Sequence, residues 1–267
     1  MKIKRHSILI VAILIGVVAP LIPLVIWSFA HRWFFPAALP TEWGWRAWNY
    51  VFSDGSQVAQ ALLNSAVVAL AVTLLSALIG LPAGRALGLY EFRGKTAVLF
   101  LILAPTIMPV IAVAMGIHVA FLRVGLADTR LGVILVHLVP VMPYMVLTLA
   151  SVFANYNPDY EGQARTLGAR PLQVLRHVTL PATWPGLMVG GLFAFIISWS
   201  QYLLTLLIGG GQVITLPVLL FAFANSGDNA ITAALSLVFI APALLLFLFT
   251  SRYLTGRSVA MGGLGKL

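Results

Sequence analysis

The chain has 267 residues and a mean hydropathy of +1.01; 61% of its residues are hydrophobic and only 9% are charged. That is too little polar surface to coat a water-soluble globule, and the apolar residues come in runs of roughly 20, the length that crosses a bilayer core as helix. No alternating segments of a membrane barrel occur, the absence of cysteine rules out disulfide and thiol chemistry, and a net charge of +9 spread among the connectors fits membrane topology better than nucleic-acid binding.

Six apolar segments are expected in chain order. The first, residues 8–29, follows Lys2, Lys4 and Arg5. It is longer than the apolar core of a signal peptide and no small-residue cleavage site follows it, so it reads as a retained anchor. Trp33, Trp43, Trp45, Trp48 and Tyr50 crowd the next connector, as an aromatic belt at the membrane surface or as a dock for an extracellular partner. The second segment, 58–81, leads into Gly80 and Gly84, small residues that suit close helix packing. The third and fourth, 97–122 and 131–153, each hold a histidine, His118 and His137, with no acid in the same apolar run. Each reads as an interior histidine bonded to a backbone carbonyl, with a proton relay as the alternative.

The fifth segment, 187–208, has the densest polar cluster of any span: Ser198, Trp199, Ser200, Gln201, Tyr202 and Thr205. Continuous helix would put residues 198, 201, 202 and 205 on one face. That face reads either as the lining of a translocation path, with Gln201 and Tyr202 touching solute, or as interhelical hydrogen bonding. A connector without basic residues, 209–230, begins with three glycines and precedes the sixth segment, 231–253.

Alternate connectors differ sharply in charge. If the N-terminus is cytoplasmic, the inner segments hold twelve Lys and Arg and the outer ones only Arg32, Arg46, Arg123 and Arg130. The excess of positive charge inside then puts both termini in the cytoplasm. The long polar loop between the fourth and fifth spans is placed there too.

That loop, EGQARTLGARPLQVLRHVTLP, reads as helix, turn, helix. Asn157 is a good N-cap, Pro158 suits a first helical turn, and Asp159 and Glu161 lie where the helix dipole favours carboxylates. Gly168 is placed to close the first helix in a left-handed conformation. Pro171 can start a second short helix, and Pro181 is expected to stop it at Leu180. Tyr160, Ala164 and Leu167 share a face of a helix too short to stand alone in water. It needs either a docking partner or the bilayer surface, with Arg165, Arg170 and Arg176 against anionic lipid.

The same loop resembles the cytoplasmic signature of ABC importer permeases: Glu-Ala-Ala, three residues, Gly, nine residues, an aliphatic, any residue, Leu-Pro. Gly168, Val178, Leu180 and Pro181 fall at those spacings, and Ala164 matches the second alanine. Gly162 and Gln163 stand where the family has Glu-Ala, with Glu161 one residue early. LLNSAVVALAVTLLSALIGLPAGRAL, GVILVHLVPVMPYMVLTL, TLPVLLF and ITAALSLVFIAPALL are also similar to this family, most of all to its spermidine/putrescine-type members.

The resemblance implies an all-α membrane fold of six transmembrane helices in the type I importer architecture, with a coupling helix between spans four and five. It assigns Glu161, Gly162, Gln163, Ala164, Arg165, Leu167 and Gly168 to coupling with a separate ATPase. Ser198, Gln201, Tyr202 and Thr205 are the candidates for the path, and no metal site is expected. The implied partners are two ATPase subunits carrying ATP and Mg, a second permease chain and a solute-binding protein, at a bacterial inner membrane. The chain divides into an anchor and connector (1–57), a permease core (58–254) and a tail (255–267). The tail AMGGLGKL echoes a Walker A but has Ala260 for the first Gly and Leu267 for Ser/Thr, so no ATP hydrolysis is expected. A proton-coupled carrier, which requires ionisable residues in the spans, and a non-transporting scaffold are the alternatives.

Overall fold

The computed structural model describes residues 15–16, 18–34 and 36–254, with side chains to residue 251. The start of the first span with the basic N-terminus, and the tail, therefore lie outside the described residues.

The elements run α1 (Leu21–Ser28), β1 (Ala30–Arg32), β2 (Glu42–Trp43), α2 (Arg46–Val51), α3 (Val58–Leu89), α4 (Lys95–Ile107), α5 (Val110–Arg123), α6 (Arg130–Ala154), α7 (Asp159–Thr166) and α8 (Pro171–Val174). After α8 comes one wide turn of π-helix (Leu175–Thr179), then α9 (Leu180–Trp199), α10 (Leu203–Gly209), α11 (Leu216–Ser226) and α12 (Asn229–Leu254). Among the described residues the fold is helical apart from β1 and β2, an antiparallel pair that the all-α expectation did not include. Among the described residues four helices are long and apolar enough to cross a membrane: Val58–Leu89, Arg130–Ala154, Pro171–Trp199 and Asn229–Ser251. The α4–α5 pair makes a fifth if it is counted as one broken span.

That pair corrects the single third span. The helix breaks at Met108 and turns through 105°. The cause is local. Pro109 disfavours helical backbone at the residue before it, and Met108 is extended, with ψ 145°. The fifth span departs from expectation in the opposite sense. Pro181 does not stop the second loop helix, which continues from Pro171 to Trp199. The π turn just upstream widens the hydrogen-bond spacing, so the helix passes the missing N–H and the bulk of the proline ring. Thr183 Oγ1 donates to the Thr179 carbonyl at 2.9 Å, satisfying an acceptor at the junction.

The described residues form two compact units, one of those up to 63 with 215–242, and one of 64–214 with those from 243 onward. In the first, the Arg46 guanidinium grips the Asp228 carboxylate through both nitrogens at 2.8 Å. The same carboxylate accepts from the Ile231 N–H at 3.1 Å and so caps α12. Arg46 holds the Asp228 pKa below the usual carboxylate value. Phe29 meets Trp45 edge-on, and Tyr50 meets Phe223 likewise.

In the second unit α6 is the central element, burying Val133, Val136, Val141, Met145, Leu149 and Phe153. Glycines on two neighbours let backbones close on it. A Cβ at Gly84 would stand 2.6 Å from Leu149 Cβ, and one at Gly88 would stand 2.5 Å from the Ala150 carbonyl oxygen. On α9, a Cβ at Gly186 would meet Val152 at 2.5 Å and one at Gly190 would meet the Met145 sulfur at 2.8 Å. The small residues of the second span are thus packing residues, as read from sequence.

Candidate functional site

The polar loop supplies the first group of residues. Asn157 Oδ1 accepts from the Asp159 N–H at 2.9 Å, a turn that leads into α7, while the cap position itself is Pro158, one residue later than expected. The helix ends as expected. Gly168 has φ +86°, its N–H donates to Arg165 O at 2.9 Å, and Ala169 N–H donates to Ala164 O at 3.0 Å. These two bonds are the Schellman closure, which requires a left-handed residue at this position.

The two faces of α7 differ. Glu161 is turned inward and is 4% exposed. Arg85, the lone charge of α3, holds its carboxylate with both guanidinium nitrogens, Nη2 lying 2.8 Å from Oε2. Oε1 also accepts from the hydroxyls of Thr179 at 2.9 Å and Tyr156 at 3.2 Å. The Arg85 contact is the main reason the Glu161 pKa falls to about 2. One carboxylate thus fastens the short helix to α3, to the π turn and to Tyr156 in the connector that follows α6. The Arg85 guanidinium lies over the Phe153 ring, 5.8 Å from its centroid, which positions it from behind.

The outward face carries Tyr160 and Leu167, which are 55% and 88% exposed, with Ala164 half-buried between them. Gly162, Gln163 and Arg165 are exposed beside them. A cleft of about 350 Å³ lies next to this face, lined by Ala164, Leu167, Gln173, Val174 and His177 among others. Exposed Leu172 on α8 extends the apolar surface. Glu161 therefore belongs to the inner attachment of the loop, and the remaining coupling candidates lie on the outer side. Sequence reasoning missed Arg85 as the partner of Glu161. The only signal was one arginine near the end of an otherwise uncharged helix, 76 residues away.

The second group lies inside the bundle. Ser198 and Thr205 are 3% and 0% exposed, and both contact His137. His137 Nδ1 is 2.9 Å from Ser198 Oγ, and Nε2 is 3.0 Å from Thr205 Oγ1. The Thr205 hydroxyl spends its proton on the Gln201 carbonyl at 2.9 Å. It must therefore accept from His137 Nε2–H, which leaves Nδ1 to accept from Ser198. His137 thus bonds two side-chain hydroxyls and not the backbone carbonyl expected from sequence. His118 Nδ1 is buried and has no hydrogen-bond partner among the described residues.

The helix does not run through this region. It ends at Trp199 and resumes at Leu203, so the four polar residues of the fifth span do not share a continuous helical face. Ser198 and Thr205 are sequestered on His137, whereas Gln201 and Tyr202 are half-buried and Ser200 is exposed. No group of three or more His, Cys, Asp or Glu able to hold a metal occurs among the described residues.

Residues 80–257, which include both groups, match the family described as the inner membrane component of binding-protein-dependent transport systems. The chain belongs to that family. It is a permease subunit of an ABC importer. Among its relatives, a molybdenum transport system permease protein of Mycobacterium bovis is 32% identical over 226 residues, covering 79% of this chain and 84% of that protein. A putrescine transport system permease protein of Escherichia coli is 30% identical over 235 residues, covering 82% and 81%. A bacterial ABC transporter involved in the import of alginate has a chain of the same fold, with a TM-score of 0.72 at 19% identity, covering 94% of the permease and 95% of that chain.

Proposed function

We propose that α7 is the coupling helix through which this permease receives the force of ATP hydrolysis from a separate ATPase subunit. The carrying observation is the asymmetry of the helix: an apolar outer face led by Leu167, and an inner face fastened by Glu161 to α3, to the π turn and to Tyr156. An exposed leucine on a capped helix outside the spans gains by burial against a partner. A force applied there passes through the Arg85–Glu161 fork to α3 and through Thr179 to α9. Coupling of this kind needs a bundle with two arrangements, biased by the docked partner. Arg165, Arg170 and Arg176 around the loop favour a partner surface with acidic groups. On this reading Gly162, Gln163, Ala164, Arg165, Leu167 and Gly168 form or support the contact, and Glu161 transmits it.

The full assembly on this reading has six spans per permease with both termini cytoplasmic, a second permease chain and two ATPases that hold ATP and Mg. A solute-binding protein delivers a small polar solute from the opposite side. The family description, the relatives and the excess of inner Lys and Arg support this arrangement.

The chain has no cysteine, so the contact can be trapped directly. Leu167→Cys, in native membranes with a bifunctional thiol–amine cross-linker, is expected to capture a protein bearing a Walker A motif. Gly168→Asp is expected to leave insertion intact while abolishing that cross-link and transport. Capture of lipid alone, or normal transport by Gly168→Asp with its ATPases attached, contradicts the assignment.

A further inference from the structure

The break in the fifth span is held in an unusual way. His137 on α6 is 1% exposed and bonds one hydroxyl on each side of the break: Ser198 in the last turn of α9 and Thr205 in α10. The Thr205 hydroxyl passes the chain of bonds on to the carbonyl of Gln201, inside the break itself. The unwound residues 200–202 are thus tied to α6 through one imidazole. Within a bilayer, backbone outside a helix is tolerated only where protein buries it or water reaches it. Here Ser198 and Trp199 before the break and Leu204 and Thr205 after it are buried, whereas Gln201 and Tyr202 are half-buried and Ser200 is exposed. Discontinuous spans in transporters generally place such backbone at the solute.

We propose that residues 200–202 form the water-lined, solute-contacting segment of this permease and that His137 is its positioning residue, stapling the two half-helices so that Gln201 and Tyr202 face the path. Ser198 and Thr205 then act through His137 and do not touch solute. The staple needs one acceptor and one donor at fixed separation, which neutral imidazole supplies and an aliphatic side chain does not. The inference uses the permease assignment and is independent of the coupling role of α7.

The test needs neither solute nor ATP, so it can fail separately from the coupling assignment. Single cysteines replace Ser198, Gln201, Tyr202 or Thr205 in the full-length chain, in right-side-out and inverted native vesicles. The probe is a membrane-impermeant cationic methanethiosulfonate. Thiols at 201 and 202 are expected to react at least ~tenfold faster than those at 198 and 205. Equal rates at the four positions overturn the path assignment, because they place the break against lipid or protein.

In the Gln201→Cys background, His137→Leu is expected to reduce that advantage severalfold and His137→Gln to retain it, since the amide offers an acceptor and a donor. Thr205→Val, nearly isosteric, removes both bonds of that hydroxyl, the one from His137 and the one to the Gln201 carbonyl, and reduces the advantage while keeping the side-chain volume, which serves if His137→Leu fails to insert. An advantage unchanged in Thr205→Val, or lost equally in His137→Gln and His137→Leu, overturns the positioning role.

Discussion

Glu161 is buried, charged and fully engaged, and these three facts together set what its loss costs. Removing one partner of a buried ion pair strands the other and typically costs 3–5 kcal/mol. Arg85 is partly exposed, so about 3 kcal/mol is expected for Glu161→Ala, equivalent to roughly a hundredfold faster amide exchange in α7. The double variant Glu161→Ala with Arg85→Ala should cost clearly less than the sum of the two singles, and a double-mutant cycle read by exchange measures the difference. The sign of the pH effect follows from the depressed pKa. The contribution of Glu161 is complete above the ordinary carboxylate value and is lost as pH falls through about 2. A nitroxide on Leu167→Cys should therefore keep one spectral line shape from pH 8 to pH 5 and gain mobility only as the medium approaches pH 2. Mobility appearing near neutrality would mean that the fork does not hold the helix.

At the scale of elements, two pairs of glycines separate conformational from steric demands. Gly168 has open space around its missing Cβ but a left-handed backbone, so Gly168→Ala should loosen the end of α7 by about 1–2 kcal/mol. Gly162 lies within α7, with no atom near its missing Cβ. Gly162→Ala should therefore stabilise the helix by up to about 1 kcal/mol. Exchange rates along the loop would show the two changes moving in opposite directions. In the bundle, Gly88→Ala drives a methyl into the α6 backbone and should lower the melting midpoint in detergent. Gly191→Ala meets only Thr73 at 3.6 Å and should be neutral or slightly stabilising.

The same elements show what could be read from sequence. The turns that open and close α7 were legible to within a residue because Asn157 and Gly168 act within four residues of themselves, and local backbone rules decide them. The break at Met108 was equally local, in the residue before Pro109, but apolar periodicity masked it. The continuation through Pro181 depends on a change of helix type upstream, and no residue by itself announces that. The partners of Glu161 and His137 lie 61 to 76 residues away for Arg85, Ser198 and Thr205. Pairing at that range is decided by packing, to which composition and spacing are blind.

For the whole molecule, the charge census makes a statement about sidedness that the loop contacts do not. Leu167→Cys should react with an impermeant thiol reagent in inverted vesicles only, and Trp43→Cys in right-side-out vesicles only. Reaction of both from the same side would reverse the assignment of Arg85, Arg93 and Lys95 to the cytoplasm. Docking of the ATPase through a basic loop rim should also weaken as ionic strength rises, because charges at the surface are screened over about 8 Å at physiological salt. A docked complex insensitive to salt would assign the contact to the apolar face alone.

The π turn at Leu175–Thr179 has a consequence for sequence length. A turn of this kind contains one residue more than the regular helix needs, so this helix has a surplus of one there. Deleting Arg176 or His177 should let the helix close into regular register. Each helical residue turns the chain by about 100°, so the loop upstream, with Glu161, would swing away from Thr179 while Thr179 and the α9 residues beyond kept their places. A deletion of one residue, commonly expected to ruin a membrane helix, would here leave the span intact and sever one of its ties to the loop. Length at this point, more than residue type, sets whether loop and span move together.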